Sequence, residues 1–223
     1  MSWNDLFVNM DNTNFFNFSF LPKYGSAFVR GFEYTLLLAV VSVLLAVIPA
    51  LLLAMMRLSK IKPIKWFAGA YIAVFRSTPM LVQLSIIYFG LFHYISLPRT
   101  LLFGFIAINR FIPGVVALAL NSSAYVAEIF RAGILAVDKG QTEAARSLGL
   151  SSWQSMRLVV LPQAMKIAIA PTVGYLVQII KGTSLAAIIG FTEITRAGQI
   201  INNATFQPLH VFATVAALYF VIC

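Results

Sequence analysis

The stretch Phe32–Met56 reads FEYTLLLAVVSVLLAVIPALLLAMM and carries one charged residue, Glu33, next to its start. A helix of these 25 residues would be about 37 Å long, which is enough to cross a hydrocarbon core about 30 Å thick with some tilt. The whole chain is apolar: 60% of its residues are hydrophobic and 10% are charged, against about 25% charged residues in an ordinary soluble domain. Its mean hydropathy is +0.88. The sequence therefore predicts a membrane protein.

Further apolar runs follow the first, and together they predict an all-α, polytopic membrane protein with about five transmembrane helices. We expect these runs at about Trp66–Tyr94, Phe111–Phe130, Ile167–Ile189 and Pro208–Cys223. The second run contains FRSTP, in which Pro79 removes a backbone donor, so a broken or kinked helix is expected there. The last run has only 16 residues, about 24 Å of helix. Either it begins earlier or the chain is cut short.

The segment 1–31 is predicted to be separate from the transmembrane domain, residues 32–223. It mixes acidic and amide residues with many aromatic ones. A secretory signal peptide would begin with a basic cluster and a short apolar run, and no such pattern is evident. The aromatic residues are most simply interpreted as an interfacial segment lying on the membrane, and a binding role for them stays open.

The positions of the basic residues predict the orientation of the chain, because cytoplasmic loops of membrane proteins retain Lys and Arg. With the N-terminus outside, nine basic residues fall on the cytoplasmic side: Arg57, Lys60, Lys62, Lys65, Arg131, Lys139, Arg146, Arg157 and Lys166. Five fall outside: Lys23, Arg30, Arg99, Arg110 and Arg196. This bias supports an outer N-terminus and accounts for the net charge of +9 without a nucleic-acid partner.

Two further basic residues, Arg76 and Lys181, lie inside predicted spans. Ionisable side chains are costly there and are functional candidates, which a purely structural scaffold would not require. A membrane-embedded enzyme would need a catalytic constellation, yet the chain has only His93 and His210, a single cysteine at Cys223 and no His-Glu-x-x-His motif. Neither a scaffold nor an enzyme is favoured.

The stretch Gln141–Ala164, QTEAARSLGLSSWQSMRLVVLPQA, is the most polar long segment of the chain. TEAARSL is rich in helix formers, and Gly149 can adopt the left-handed conformation that ends a helix. One of the serines that follow can cap a second helix. Gln154 has the capping-box spacing from Ser151, and Pro162 is expected to end the run. The stretch is either a bent cytoplasmic element that exposes small residues to another protein or an amphipathic connector resting on the membrane.

The same stretch resembles the signature of the permease subunits of bacterial ABC importers: Glu-Ala-Ala, three residues, Gly, nine residues, Ile, one residue and Leu-Pro. Matching residues stand at Glu143, Ala144, Ala145, Gly149, Leu161 and Pro162, and Val159 in place of Ile is the only departure. Other segments are similar to the polar amino-acid (His/Glu/Gln/Arg/opine) permease branch: FRSTPMLVQL at 75–84, AYVAEIFRAGI at 124–134, KGTSLAAIIG at 181–190 and ITRAGQ at 194–199.

The resemblance implies a permease subunit of an ATP-driven amino-acid importer in the bacterial cytoplasmic (inner) membrane, working by alternating access. A cytoplasmic coupling helix would lie between spans three and four, in the loop 135–164. ATP and Mg would bind to a partner ATPase dimer, because this chain lacks a Gly-x-x-x-x-Gly-Lys-Ser/Thr loop, and the chain itself would not be an enzyme. The other implied partners are a second permease subunit, identical or homologous, and an extracytoplasmic amino-acid-binding protein.

The resemblance also places ATPase-docking residues on the coupling helix: Glu143, Ala144, Ala145, Arg146 and Gly149. Glu143 would anchor the contact by accepting a charge-assisted hydrogen bond from an arginine of the ATPase. Its structural alternative is to stabilise the start of its own helix.

The substrate pathway is predicted from polar residues within the spans, since an amino acid offers both a carboxylate and an ammonium group. These residues are Arg76, Asn121, Lys181, Thr183 and Ser184. Their structural alternatives are pairing with Glu128, snorkelling, or bonding to helix carbonyls.

The family commonly carries an acidic or amide residue after the lysine of KGTS, where this chain has Gly182. Either this subunit favours a different amino acid, or it leaves recognition to a non-identical partner permease. An importer for methionine, phosphonates or metals is the alternative cargo class, against which the FRSTP and ITRAGQ segments weigh.

Overall fold

Helices form almost all of the computed structural model, which describes residues 18–92 and 110–223. They are α1 Leu21–Leu58, α2 Lys62–Ser77, α3 Met80–Ser85, α4 Phe111–Leu135, α5 Lys139–Ser147, α6 Ser152–Ser155, α7 Leu161–Gly182, α8 Ile194–Thr205 and α9 Pro208–Ile222. A π-helical segment, Ile86–Phe92, extends α3, a second, Met156–Val160, joins α6 to α7, and a 3-10 turn, Thr183–Ala187, extends α7. The described ranges contain no strand, which agrees with the predicted all-α class.

Three helices of the described ranges are long and apolar enough to cross a membrane: α1, α4 and the continuous helix from Ser152 to Ala187. The pair Lys62–Ser77 and Met80–Phe92, bent by 103° at its break, makes a fourth if it is counted as one span. The predicted break at Pro79 is therefore confirmed. α9 is apolar, but its 15 residues make a helix of about 22 Å, shorter than a span. A polytopic all-α membrane protein is confirmed, and a fifth span stays a prediction.

The first helix begins at Leu21 rather than at Phe32 and runs unbroken through position 31. Phe20, just before it, is buried, and its ring lies 6.4 Å from that of Phe28. Phe20 and Phe28, in the predicted interfacial segment, therefore pack against other parts of the protein, and the position of this segment on a membrane stays a prediction. The rest of that segment, residues 1–17, lies outside the described residues, as does the stretch 93–109.

α4 lies at the centre of the bundle. In its most apolar stretch 61% of the residues are buried, against 33% in α1 and 22% in the helix Ser152–Ala187. Small residues permit close packing of the helices. At Gly133 a Cβ would lie only 2.8 Å from the carbonyl oxygen of Ala164, so α4 and α7 touch through their backbones.

α8 closes one end of the bundle against α1. Glu193 caps α8, because its carboxylate accepts hydrogen bonds of 2.8 Å from the amides of Thr195 and Arg196 and from the hydroxyl of Tyr219. Burial raises the pKa of Glu193, and these three hydrogen bonds oppose the rise. The opposite end of α1 carries Arg57 and leads into the basic turn before α2.

The second half of the polar stretch is continuous with the following span. The helix runs from Ser152 through the π-helical segment into α7, with Pro162 in the first turn of α7. The expectation that Pro162 ends the helix is therefore wrong. The π-helical segment Met156–Val160 comes directly before this proline, and such a wider turn is the local adjustment that lets a helix continue past a residue without an N–H. The Nε2 of Gln163 also donates to the carbonyl of Val159 at 3.0 Å.

Candidate functional site

Caps hold α5 at both of its ends. The Asp138 carboxylate accepts a hydrogen bond of 2.7 Å from the amide of Gly140, a cap that the sequence analysis did not identify. At the other end Gly149 has a φ of 78°, and its amide donates to the carbonyl of Arg146 at 2.9 Å. A glycine in the left-handed conformation closes helices in this way, so the predicted bend is confirmed.

The predicted capping box begins the next helix. The amide of Gln154 donates to the Ser151 hydroxyl at 3.3 Å, and the amide of Ser151 donates to Oε1 of Gln154 at 2.9 Å. The side chain of Gln163 also donates to Oε1 of Gln141 at 3.1 Å. The polar stretch is therefore a folded element fixed to the start of α7.

Most of the predicted docking residues lie on the surface of this element. The exposed ones are Glu143, Ala144, Arg146 and Gly149. Ala145 is only 3% exposed, because its side chain packs inward and gives α5 its buried face, and its docking role stays a prediction. Leu148, which the sequence analysis missed, is 82% exposed. Within the described ranges Glu143 forms no salt bridge, which leaves its carboxylate open to a partner.

A cavity of about 610 Å³ lies between the break in the second span, α4 and the last turns of α7. Its lining includes most of the predicted pathway residues: Arg76, Asn121, Lys181 and Ser184. Thr183 is fully buried, and its hydroxyl donates to the carbonyl of Ile180 at 2.7 Å. The helix backbone thus satisfies the side chain of Thr183, which does not line this cavity, and its pathway role stays a prediction.

Further polar residues of the lining were missed as site residues: Ser122, Tyr125, Tyr175 and Gln178. A helical period could have found them. The α4 residues of the lining follow the spacing i, i+3, i+4 and i+7 from Leu118. On α7 the same spacing runs from Tyr175 to Gly182, and Lys181 is an additional lining residue outside it. Residues with this spacing share one face of a helix. The polar face of α4 and the face of α7 that ends in Gly182 thus meet across the cavity.

Arg76 lies against an aromatic wall. Its guanidinium carbon is 5.2 Å from the ring centroid of Tyr125, within the range of a cation–π contact. The Tyr125 ring stacks on Tyr175 at 5.2 Å and 19°. The Tyr175 hydroxyl donates to Oδ1 of Asn121 at 3.5 Å. These contacts connect α2, α4 and α7 around the cavity.

Gln83 holds the break in the second span. Its Nε2 donates to the carbonyls of Phe75 and Thr78 at 2.8 and 3.0 Å and to the Thr78 hydroxyl at 2.6 Å. Asn121 donates from Nδ2 to the same Phe75 carbonyl at 3.1 Å and to Oε1 of Gln83 at 2.9 Å. Carbonyls at a broken helix end lack intrahelical donors, and these two amides supply them. The site residue Asn121 therefore also has a structural role.

Glu128 is not the partner of the cavity's cations. Its carboxylate accepts a hydrogen bond of 2.7 Å from Arg131 and lies 3.5 Å from Nε of Arg57. The predicted alternative that Arg76 or Lys181 pairs with Glu128 is therefore wrong. Among the described residues no cluster of His, Cys, Asp and Glu could hold a metal ion.

The family described as binding-protein-dependent transport system inner membrane component matches residues 24–223. The chain belongs to this family. One member, the probable amino-acid ABC transporter permease protein YckA of Bacillus subtilis (strain 168), is 40% identical over 195 residues, 87% of this chain and 82% of the relative. The arginine transport system permease protein ArtQ of the same strain is 38% identical over 194 residues, with 87% and 84% covered.

Solved structures of ABC transporters share the fold of this chain. The crystal structure of an amino acid ABC transporter with histidines is 42% identical and superposes with a TM-score of 0.83 over 92% of each chain. The MetNI methionine ABC transporter in an inward-facing conformation is 22% identical, with a TM-score of 0.66 over 87% of this chain and 88% of that one. This second likeness shows the fold alone. The binding-protein-dependent permease described here is thus a multi-pass component of the inner membrane, as its signature predicted.

Proposed function

We propose that this permease forms the translocation pathway of an ATP-driven amino-acid importer and that the substrate passes through the cavity beside Arg76 and Lys181. The cavity carries the proposal. Polar side chains from three helices converge on it although the helices are otherwise apolar, and its volume of about 610 Å³ falls within the roughly 300–1,000 Å³ of small-molecule sites. The amino-acid cargo in the names of the relatives supports the same function.

α5 is the element that docks on a separate ATPase, which binds the ATP and Mg. Its exposed Glu143 accepts a charge-assisted hydrogen bond from an arginine of that subunit. Leu148 adds an apolar contact, and its 82% exposure next to a polar helix supports this, since such a side chain gains by being covered. The catalytic step of ATP hydrolysis belongs to the partner.

Transport follows from movement of α5 with its neighbours. ATP binding closes the ATPase dimer, α5 shifts, and α4 and α7, which flank it in the chain, rock between inward-open and outward-open states. The other partners are a second permease, identical or homologous, and an extracytoplasmic binding protein that delivers the amino acid. Lipid surrounds the apolar outer faces of the helices, and nucleic acid has no part in the function.

An importer for a non-amino-acid or methionine-type cargo is the alternative. The structural likeness to the methionine transporter concerns the fold alone, whereas the relatives at 38–40% identity carry amino-acid or arginine names. We therefore keep the amino-acid cargo as the proposed one.

The test begins with the tagged permease, extracted in mild detergent from its own host together with whatever ATPase co-purifies. The complex is reconstituted in proteoliposomes that hold ATP and Mg on the side of the ATPase. We expect a Walker-motif ATPase in the complex and uptake of labelled amino acids when a host fraction of extracytoplasmic binding proteins is added. Matched liposomes with ADP in place of ATP should take up none.

Two results would contradict the proposal. A complex that purifies intact without any ATPase would remove the docking role of α5. A complex with an ATPase that drives uptake of phosphonate or a metal ion, but of no amino acid, would remove the cargo class.

A further inference from the structure

The charges around the cavity are all of one sign. Its described lining contains two cationic side chains, Arg76 and Lys181, and no aspartate or glutamate. The remaining polar groups of the lining are hydroxyls and amides, which carry no net charge. Arg76 and Lys181 are both exposed side chains and form no salt bridge among the described residues, so both cations are available to a carboxylate that enters the cavity.

The carboxylates of the described chain are engaged elsewhere or lie away from the cavity. Glu128 is shared by Arg57 and Arg131, Asp138 caps α5 and Glu193 caps α8. Glu33 and Glu143 do not line the cavity. No carboxylate of the described ranges therefore neutralises Arg76 or Lys181, and a substrate that enters the cavity can supply one.

We infer that the cavity is selective for amino acids with a carboxylate side chain, such as glutamate and aspartate. Two carboxylates satisfy two cations: the planar guanidinium of Arg76 suits a bidentate contact with one, and the ammonium of Lys181 pairs with the other. This inference rests on the proposed function and names the substrate class of the same site.

The α-ammonium group of such a substrate also has partners. Oδ1 of Asn121 accepts only a long hydrogen bond, 3.5 Å, from Tyr175, so it retains capacity for a second donor. The buried hydroxyl of Ser122 lines the same cavity, and its oxygen can accept a hydrogen bond from an ammonium group. The Tyr175 ring adds a face that attracts cations, whereas the Tyr125 ring is already engaged by Arg76 and by its stacking on Tyr175. One ammonium can be held there, whereas a second cation, as in arginine or lysine, would face Arg76 or Lys181.

The residue at position 182 determines the net charge of the cavity lining, and in this chain it is the uncharged Gly182. It lines the cavity next to Lys181, with helical backbone angles, φ −63° and ψ −26°. A Cβ at this position would meet its nearest neighbours, Met80 and Leu118, at 3.6 and 3.8 Å, which are ordinary contacts. The position therefore accommodates a side chain. A carboxylate placed there would neutralise the charge of Lys181, so the cavity could then accept a cationic substrate.

Binding of labelled amino acids to the purified permease–ATPase complex, without its binding protein, tests the inference on this chain directly. We expect glutamate and aspartate to bind at least about tenfold more tightly than glutamine, arginine or lysine. Arg76→Gln and Lys181→Gln should each remove most of the preference for glutamate over glutamine. Lys166→Gln removes a lysine of the same helix that does not line the cavity, and it should leave the preference unchanged.

The gain-of-function variant is Gly182→Glu, with Gly182→Gln as its control of equal size. We expect Gly182→Glu to bind arginine more tightly than glutamate and Gly182→Gln to keep the original order. If Gly182→Glu fails to assemble, Lys181→Glu can replace it, because it reverses one charge at an exposed position. We expect this variant also to bind arginine more tightly than glutamate.

The outcomes separate the two proposals. If the wild-type complex binds and transports neutral or cationic amino acids in preference to glutamate and aspartate, or if neither charge variant changes the order, the substrate class is wrong and the amino-acid importer stands. If the complex transports no amino acid but does transport another cargo, the proposed function fails as well.

Discussion

Gln83 shows how one buried side chain can hold a broken helix. Its amide donates to the carbonyls of Phe75 and Thr78 and accepts from Asn121. Replacing it with leucine keeps the volume and removes these hydrogen bonds. Because unsatisfied buried groups cost about 1–3 kcal/mol, we expect Gln83→Leu to lower the thermal unfolding midpoint of the purified permease. Gln178→Leu, at an exposed position, should leave the midpoint unchanged, and equal midpoints for both variants would show that Gln83 does not support the break.

Glu143 is the residue on which the docking of α5 depends most. Replacing its carboxylate with a guanidinium turns an attraction to an arginine of the ATPase into a repulsion. We expect Glu143→Arg to abolish transport-coupled ATP hydrolysis in proteoliposomes while the permease remains inserted in the membrane. Arg157→Glu reverses a charge on the same side of the chain, at a position that the signature leaves unspecified, and should retain coupled hydrolysis. Full coupling in Glu143→Arg would refute the docking role.

The sequence predicted which residues belong to the site better than it predicted which way their side chains face. Arg76 and Lys181 stood out because charge is rare in apolar spans, and both line the cavity. Thr183 and Ala145 belong to the right segments but face inward. A list of polar or motif residues does not contain that information, since it depends on which face of each helix packs against the bundle. The helical period that starts at Leu118 and includes Asn121 would have added Ser122 and Tyr125.

At the scale of the element, α5 and its glycine turn form the part of the chain that is expected to contact the ATPase. Gly149 has a φ of 78°, and a Cβ there costs about 1–2 kcal/mol through its clash with the following carbonyl. We expect Gly149→Ala to weaken retention of the ATPase by the tagged permease severalfold, because the added Cβ would strain the turn that presents Leu148. Gly25→Ala, in α1 with open space around its Cβ position, should retain the ATPase fully. Equal retention would mean that the turn geometry does not matter for docking.

Element types were predictable from the sequence, and element ends were less so. The apolar runs, the break at Pro79 and the capping box at Ser151 follow from local chemistry. The true start of α1 at Leu21 and the passage of the helix through Pro162 do not, because both depend on packing. The aromatic side chains near Leu21 are buried against other elements, and a π-helical segment precedes the proline.

At the scale of the whole molecule, the predicted orientation can be tested with a single accessible cysteine. In a background with Cys223, which is exposed, replaced by serine, we expect Ser152→Cys to react with a membrane-impermeant maleimide only in inverted vesicles. Asn203→Cys, on α8 at the other end of the bundle, should react only in intact cells. The reverse pattern would overturn the orientation and, with it, the cytoplasmic position of α5.

The close approach at Gly133 has a mechanical consequence. α5 is connected at one end to α4 and at the other, through α6, to α7, and these two helices touch backbone to backbone, with room for no more than a hydrogen atom between Gly133 and the Ala164 carbonyl. This contact leaves no void between α4 and α7 that could absorb a displacement of one helix relative to the other. We therefore expect a displacement of α5 to move α4 and α7 together rather than to be absorbed between them.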